Sequence, residues 1–405
     1  MQLVKSGLYE GLEKKGYQFE LRNELNEESV EYLSEITKNG IWFEDAYLED
    51  FIQTILYKIH PQTLSDKRPG NLDIRIMQAN SPNAFCLPSG SIVINTGLIS
   101  VLDSEEELAA VLAHEVAHFL LDHHIININE QITREKRAAF WAAVATISAS
   151  LVDAYLASQN EYYSPGALTI STAILANTLA YYVTERLGAK YSRAQEMEAD
   201  HAATLILEYI GYNPIALSSA LSKIEDYAES VGDYYSLSNE GTHPAVKIRI
   251  NSIGPLEDNE FNDPKYHILV SSVNTHNAWI EYYSRHYSRC DQLVQQNIDA
   301  GIAMEEDYLL KAMVTRVLYD TPEQTEEAHG YIQMAKEIGV IELPEISKQE
   351  GITLLRLNRN AEAIDAFEKY LDYLSNTEKD TYIEKEEEWT KKMIYKTKTL
   401  KSNSL

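Results

Sequence analysis

Hydrophobic and polar positions along the chain change period several times, and each change marks a candidate element. Residues 24 to 60 carry apolar positions at helical spacing, through NELNEESVEYLSEI and then DAYLEDFIQTILYKIH. After Pro69-Gly70 the pattern alternates in LDIRIM, and NAFCLP and SIVIN follow as two short strands split by Ser89-Gly90. The period then returns to that of a helix. Ser104 and Glu107 have S-x-x-E capping-box spacing, and Glu105 and Glu106 suit the positive first turn, so a helix is predicted from about 104 to 123. Two apolar runs come next, FWAAVATISASLVDAYLA and ALTISTAILANTLAYYV, joined by SQNEYYSPG. Their length approaches a membrane span, yet they are rich in Ala, Ser and Thr, and Asp153 lies inside the first. A helical hairpin packed on the protein is the plainer reading of residues 138–183, and a membrane-touching or substrate-capturing flap is the other.

Downstream, a helix starts near Ser192, and Asn213-Pro214 offers an N-cap and an N1 proline for another that ends near Gly232. Thr242 is placed to cap a short helix at VKIRINSI, and the acidic LEDNEFNDP reads as a linker. From about residue 264 every periodic segment is helical. Ala328 and Ile332 recur as Ala363 and Phe367 at an offset of 35, close to a tetratricopeptide period, and Gly351 and Leu354 fall where such a unit wants a small and an apolar residue. GITLLRLNRNAEAIDAFEKYL resembles a tetratricopeptide repeat, while the earlier unit is degenerate and an irregular helical bundle is the alternative. Three regions follow: residues 1–69 as helices packing on the next region, 70–255 as a mixed domain, and 264–405 as a helical repeat domain.

Composition narrows the functions open to this architecture. The chain of 405 residues has 62 acidic against 35 basic residues, a formal charge of -27, which argues against nucleic acid and anionic lipid as partners. Polypeptides with basic or apolar segments suit that surface better. Cys86 and Cys290 lie in separate regions and form no CxxC motif, so neither a disulfide framework nor a cysteine metal site is expected. MQLVKSGLYEGLEKKGYQF has no apolar signal core, so the expectation is a cytoplasmic protein or one whose leader is absent from this sequence.

The candidate chemistry sits in LAHEVAHFLL. His114 and His118 are four apart on one helical face and can direct imidazole nitrogens at one metal ion. Glu115, rotated by about 100°, cannot comfortably join them as a ligand but can serve as general base for an attacking water. An ordinary half-buried helix face is the alternative. SRAQEMEAD supplies Glu196 and Asp200, also four apart, with Glu198 pointing elsewhere. Glu196 as third ligand and Asp200 accepting a hydrogen bond from a liganding histidine make chemical sense, against a solvated acidic face. His123, His124 and His201 read as surface or near-surface groups. Arg193 and Arg249 can pair with Asp200, bind a substrate carbonyl, or form ordinary salt bridges.

HEVAH, then SRAQEMEAD about eighty residues on, then THPAVKIRI, with NAFCLPSGSIVINTGLI upstream, together resemble the HtpX/BepA-type zinc metallopeptidases, a family that includes the CAAX prenyl proteases. The four motifs cover roughly residues 70–255, and the C-terminal helices extend the likeness to the BepA-type arrangement of protease plus repeats. The resemblance implies a mainly α (α+β) gluzincin-type domain with a small β-sheet, followed by an α-helical tetratricopeptide-like domain. It implies one Zn2+ per chain, with His114, His118 and Glu196 as ligands, Glu115 as base and Asp200 as orienting carboxylate. HtpX and the prenyl proteases carry clear transmembrane helices and this chain shows no clear span, which argues against integral membrane placement and, with it, prenyl-protein processing.

A zinc-dependent endopeptidase acting on misfolded or unassembled proteins is the expected function, with the repeats presenting partners. A latent or non-catalytic chaperone scaffold is the alternative, and the likeness favours a cell-envelope location over the cytoplasmic one that the N-terminus suggests. Asn83, Ala84 and Phe85 lie on a strand suited to pair with an extended peptide. His243 has three readings: it stabilises the oxyanion, it occupies a fourth metal position in a latent enzyme, or it caps and packs beside Pro244.

Overall fold

The computed structural model describes residues 17–39, 41–60, 72–123, 172, 173, 176, 191–231, 246–255, 261–339, 343–377, 379 and 381–402. His243, His124 and Thr242 lie outside them, as do the two apolar runs apart from three positions of the second. Among the described residues no helix is long and apolar enough to cross a membrane. The described residues up to Val270 fall in one compact unit and those from Ser271 onward in another.

The first unit opens with α1 (Tyr17–Lys38) and α2 (Ala46–Ile59). Asp45 caps α2 by accepting the Tyr47 and Leu48 amides, and Leu48, Ile52, Ile55, Leu56 and Ile59 form its buried stripe. The predicted strands form one three-stranded sheet from β1 (Asp73–Met77), β2 (Ala84–Cys86) and β3 (Ser91–Asn95), in the order β1-β3-β2. β1 runs parallel to β3, with Ile74 beside Ile92 and Ile76 beside Ile94, and β2 runs antiparallel, with Phe85 beside Val93. Residues 41–43 cover the outer side of β1: Phe43 donates to the Ile76 carbonyl and Gln78 to that of Ile41. The outer edge of β2 pairs with no strand among the described residues.

α3 (Thr96–Val101) leaves β3 at once, and Gly97 lets it sit on the turn below. A Cβ there would lie 2.1 Å from the Asn80 carbonyl oxygen, a separation no side chain tolerates. α4 (Glu105–Leu120) packs on β2 and is buried along nearly its whole length. Only half of the expected capping box forms: Ser104 accepts the Glu107 amide, but the Glu107 carboxylate accepts the Asp103 amide at 2.7 Å. That carboxylate also meets Ser219 and Lys223, so it fastens the start of α4 to a later helix. The helix stops at Leu120, short of the predicted end, and Asp122 turns the chain with φ 60°.

α5 (Arg193–Ile210) has the full reciprocal box, in which Ser192 and Gln195 satisfy each other's amides, and Gly211 ends it at φ 85°. α6 (Ala216–Val231) follows a turn in which Asn213 accepts the Ile215 amide. α7 (Val246–Ile253) brings Arg249 inward. α8 (Pro264–Leu269), grouped with the C-terminal helices by periodicity, is tied to the first unit: Asp263 donates to the Asp103 carbonyl and Tyr266 to that of Ile99.

The second unit is helical throughout its described residues: α9 (Ser271–Tyr283), α10 (Tyr287–Asp299), α11 (Glu305–Leu318), α12 (Pro322–Ile338), α13 (Pro344–Arg356), α14 (Asn360–Asn376) and α15 (Thr381–Ser402). Each helix packs on the next, and α9 and α11 also reach the second one along. Ala328, Ile332, Ala363 and Phe367, the residues of the 35-residue offset, are all fully buried. Gly351 lets the Phe367 ring close onto α13, since a Cβ at 351 would stand 2.6 Å from it.

Candidate metal centre

α4 and α5 pack against each other and bring the two predicted i, i+4 pairs together. His114 and His118 project from α4 with their Nε2 atoms 3.0 Å apart. Glu196, on the first turn of α5, places its two carboxylate oxygens 3.5 Å from those nitrogens, one oxygen to each. All three side chains are buried, and their donor atoms lie within 4.8 Å of one another.

The donor set fits a zinc ion. Ligand atoms about 2.0–2.2 Å from one tetrahedral ion stand about 3.3–3.5 Å from each other. The two imidazole nitrogens stand 3.0 Å apart and each has one Glu196 oxygen at 3.5 Å, close to that spacing. Two buried imidazoles facing a buried carboxylate are also the N/O donors that zinc accepts.

Asp200 stands one turn beyond Glu196, where the spacing placed it. Its Oδ1 is 2.9 Å from His114 Nδ1, leaving His114 Nε2 to face the centre. Arg249 is 1% exposed and grips both carboxylates, through Nε and Nη2 to Asp200 at 2.7 Å and Nη1 to Glu196 at 2.8 Å. Of the readings open to it in the sequence, the structure selects pairing with Asp200 and adds Glu196.

Electrostatics follow from this clustering. Burial and the Arg249 charge pull His114 down, but its hydrogen bonds to Asp200 and Glu196 outweigh them and push it up to about 9. Burial alone would raise Asp200, yet the Arg249 charge and the hydrogen bond with His114 hold its carboxyl below the usual range. Arg249 feels burial in the opposite direction, and the Glu196 and Asp200 charges more than offset it.

Glu115 is buried on α4 and turned toward the sheet, where its Oε2 accepts the Cys86 amide of β2 at 3.2 Å. The Leu87 amide donates to the Ser91 carbonyl and the Asn95 amide to the Asn83 carbonyl, so Ala84 and Cys86 turn their backbone groups to the outer edge of β2, which pairs with no strand among the described residues. Phe85 instead is buried in the core near Tyr32, with ring centroids 6.4 Å apart, and Asn83 is half-buried with its carbonyl spent on Asn95.

Two residues at the centre escaped the sequence reading. Tyr191 is buried and stacks on the His118 ring, with centroids 3.6 Å apart and planes at 19°. It precedes α5 in no periodic pattern, so nothing in the sequence signals it. Burial, then the charges of Glu115, Cys86 and Glu196, raise its hydroxyl well above the usual value. His123, expected near the surface, is 2% exposed and sets its Nδ1 2.9 Å from His118 Nδ1. The expectation extended the helix to 123, which would swing His123 off the metal face, whereas the left-handed turn at Asp122 folds it back. His201 and Arg193 are exposed, and Glu198 is largely so.

A helix with two histidines one turn apart, and a carboxylate from a second helix completing three donors, define a centre of the metallopeptidase kind. The chain belongs to peptidase family M48, whose sequence profile matches residues 45–257, just over half of it. Members of that family bind zinc, and His114, His118 and Glu196 form a cluster that can hold it. The chain is 28% identical over 210 residues to the mitochondrial metalloendopeptidase OMA1 of Arabidopsis thaliana, covering 51% of this chain and 36% of that protein. It is 25% identical over 221 residues to the beta-barrel assembly-enhancing protease of Escherichia coli K12, with 54% and 41% covered. Against the protease HtpX homolog of Campylobacter concisus the identity is 29% over 187 residues, covering 45% and 59%. The chain thus spans less than two-thirds of each of these relatives.

Proposed function

We propose that this protein is a zinc-dependent endopeptidase that hydrolyses peptide bonds of polypeptide substrates through its HExxH and ExxxD residues. The observation that carries the reading is the clustering of three buried donors, with Glu115 on the same helix as two of them and hydrogen-bonded to Cys86 of β2. His114, His118 and Glu196 would hold the zinc, and Asp200 with Arg249 would orient His114 and Glu196. When bound, zinc polarises a scissile carbonyl and brings the pKa of its water toward about 7.

Glu115 takes the proton of the attacking water and passes it to the leaving amine. Its contact with Cys86 couples the base to the strand on which substrate would lie. An extended peptide adds to the sheet at β2, pairing with the outward backbone of Ala84, while Asn83 and Phe85 hold that strand in register against β3. Sequence-tolerant pairing of this kind suits misfolded or unassembled proteins, because an unfolded segment offers its backbone freely. The second unit, read as tetratricopeptide-like repeats on the offset of 35 and the Gly351–Phe367 contact, would present partners or clients. His243 stays a candidate for oxyanion stabilisation or for a fourth metal position in a latent enzyme. On the latter reading His243→Ala raises activity.

The test is casein cleavage by the full chain with zinc, after removal of the metal with 1,10-phenanthroline, and after zinc is restored. Cleavage that disappears and returns with the metal supports the proposal. Cleavage indifferent to zinc removal, or none at all by a zinc-loaded chain and its His243→Ala variant, counts against it.

A further inference from the structure

The two liganding imidazoles meet different outer partners. His114 directs Nδ1 to the Asp200 carboxylate, which Arg249 clamps. His118 directs Nδ1 at a third imidazole, His123, 2.9 Å away, and that ring's Nε2 lies 3.4 Å from the Glu198 carboxylate. Two ring nitrogens at hydrogen-bond distance share one proton, and its position is decided by what else each ring must do. For His118 Nε2 to present its lone pair to a metal, His118 Nδ1 carries the hydrogen. His123 Nδ1 is then the acceptor, and a neutral His123 holds its own hydrogen on Nε2, facing Glu198.

The geometry points to His123 as a positioning residue that fixes the tautomer and tilt of His118, with Glu198 as the outer end of the relay. This rests on the zinc reading above and extends it to two residues outside the HExxH and ExxxD motifs. The placement is a property of the backbone: α4 ends at Leu120, and the left-handed turn at Asp122 returns His123 against the helix it has just left. Aspartate enters that region more readily than most residues, so the turn is compatible with its sequence. Tyr191, just before α5, covers a flat face of the His118 ring, and His123 meets that ring edge-on, where it sets the rotation within the plane.

The relay predicts a pattern among variants of the full chain, read as zinc affinity in competition with a chromogenic chelator. His123→Ala removes the His123 ring nitrogen from His118 Nδ1 and weakens zinc by about 10- to 100-fold. His123→Asn puts an amide oxygen close to the place of Nδ1 and restores affinity to within about threefold of wild type. Glu198 is 62% exposed on its side chain, and Glu198→Gln has a smaller effect than His123→Ala. Thermal unfolding of the zinc-free variants is the control, since a merely structural role lowers both His123 variants together. Equal affinity of wild type and His123→Ala, with one zinc per wild-type chain, overturns the positioning role while the metal centre stands. Equal loss in Ala and Asn overturns it too, and a wild type that takes up no zinc overturns both readings. Nitrogen-15 histidine spectra of the zinc-loaded wild type test the same point without a variant. A hydrogen on His123 Nε2 is expected, and one on its Nδ1 overturns the assignment.

Discussion

Both units of this protein bury charged and polar side chains, but they use them in opposite ways. In the first, His114, His118, Glu196, Asp200 and Arg249 converge, so that several groups share partners and three donors face one point. In the second, buried polar groups pair off helix to helix. Arg316 of α11 binds the Gln349 carbonyl and Thr353 of α13, Lys311 meets Asp291, and Asp307 accepts from Asn297 and Thr275. Contacts of the second kind fasten neighbouring helices and, among the described residues, gather no group of metal donors. A cluster of the first kind holds two carboxylates and two imidazoles around one guanidinium, and a metal cation completes it. Buried polarity marks a site when metal donors converge on it and a staple when it ties one helix to the next.

The contrast can be broken at Arg249. Arg249→Met leaves Glu196 and Asp200 as neighbouring buried carboxylates and should cost about 3–5 kcal/mol in the zinc-free chain, by urea unfolding. Added zinc should recover part of that loss, because the cation replaces the missing charge. A loss under about 1 kcal/mol, as expected of an exposed pair, would mean that the cluster is not electrostatically shared.

The second unit offers a pH-dependent counterpart away from the metal. His276 of α9 is half-buried with its Nε2 shut off from solvent, and burial lowers it from 6.5 to about 4. A folded-state value below the unfolded one means that the unfolded chain takes the proton first. Stability is therefore full above about 6.5 and drains as pH falls toward 4, by at most about 3 kcal/mol. His276→Leu should shrink the stability difference between pH 7 and pH 4.5 by up to that amount, and an unchanged difference would remove His276 from the account.

A smaller effect tests the packing of the same unit. In Gly351→Ala the new methyl meets the rigid, fully buried ring of Phe367. Overpacking costs about 1–3 kcal/mol, while alanine returns about 1 kcal/mol of helix propensity, so a net loss of roughly 1–2 kcal/mol is expected. A gain in stability would show that the ring has room to move.

What could be read in the sequence follows the same division. His114, His118, Glu196 and Asp200 were legible because each pair lies one turn apart on a single helix, a spacing that geometry converts directly into a shared face. The alternating strands and the Ser192 cap are likewise local. His123 was not, because its position depends on where α4 stops and on the sign of one φ angle at Asp122. Tyr191 and the double grip of Arg249 depend on helix approach, which no period encodes. In the second unit the buried faces of α12 and α14 were legible, whereas the pairing of Arg316 with residues 33 and 37 positions away was not.

The most direct test of the account is casein cleavage by zinc-loaded wild type beside Glu115→Gln, with zinc measured in both. Loss of a general base costs about 10²- to 10⁴-fold. The account predicts cleavage by wild type, a fall of that size in the glutamine variant, and one zinc per chain in each. Equal cleavage by the two proteins at equal zinc content would contradict it.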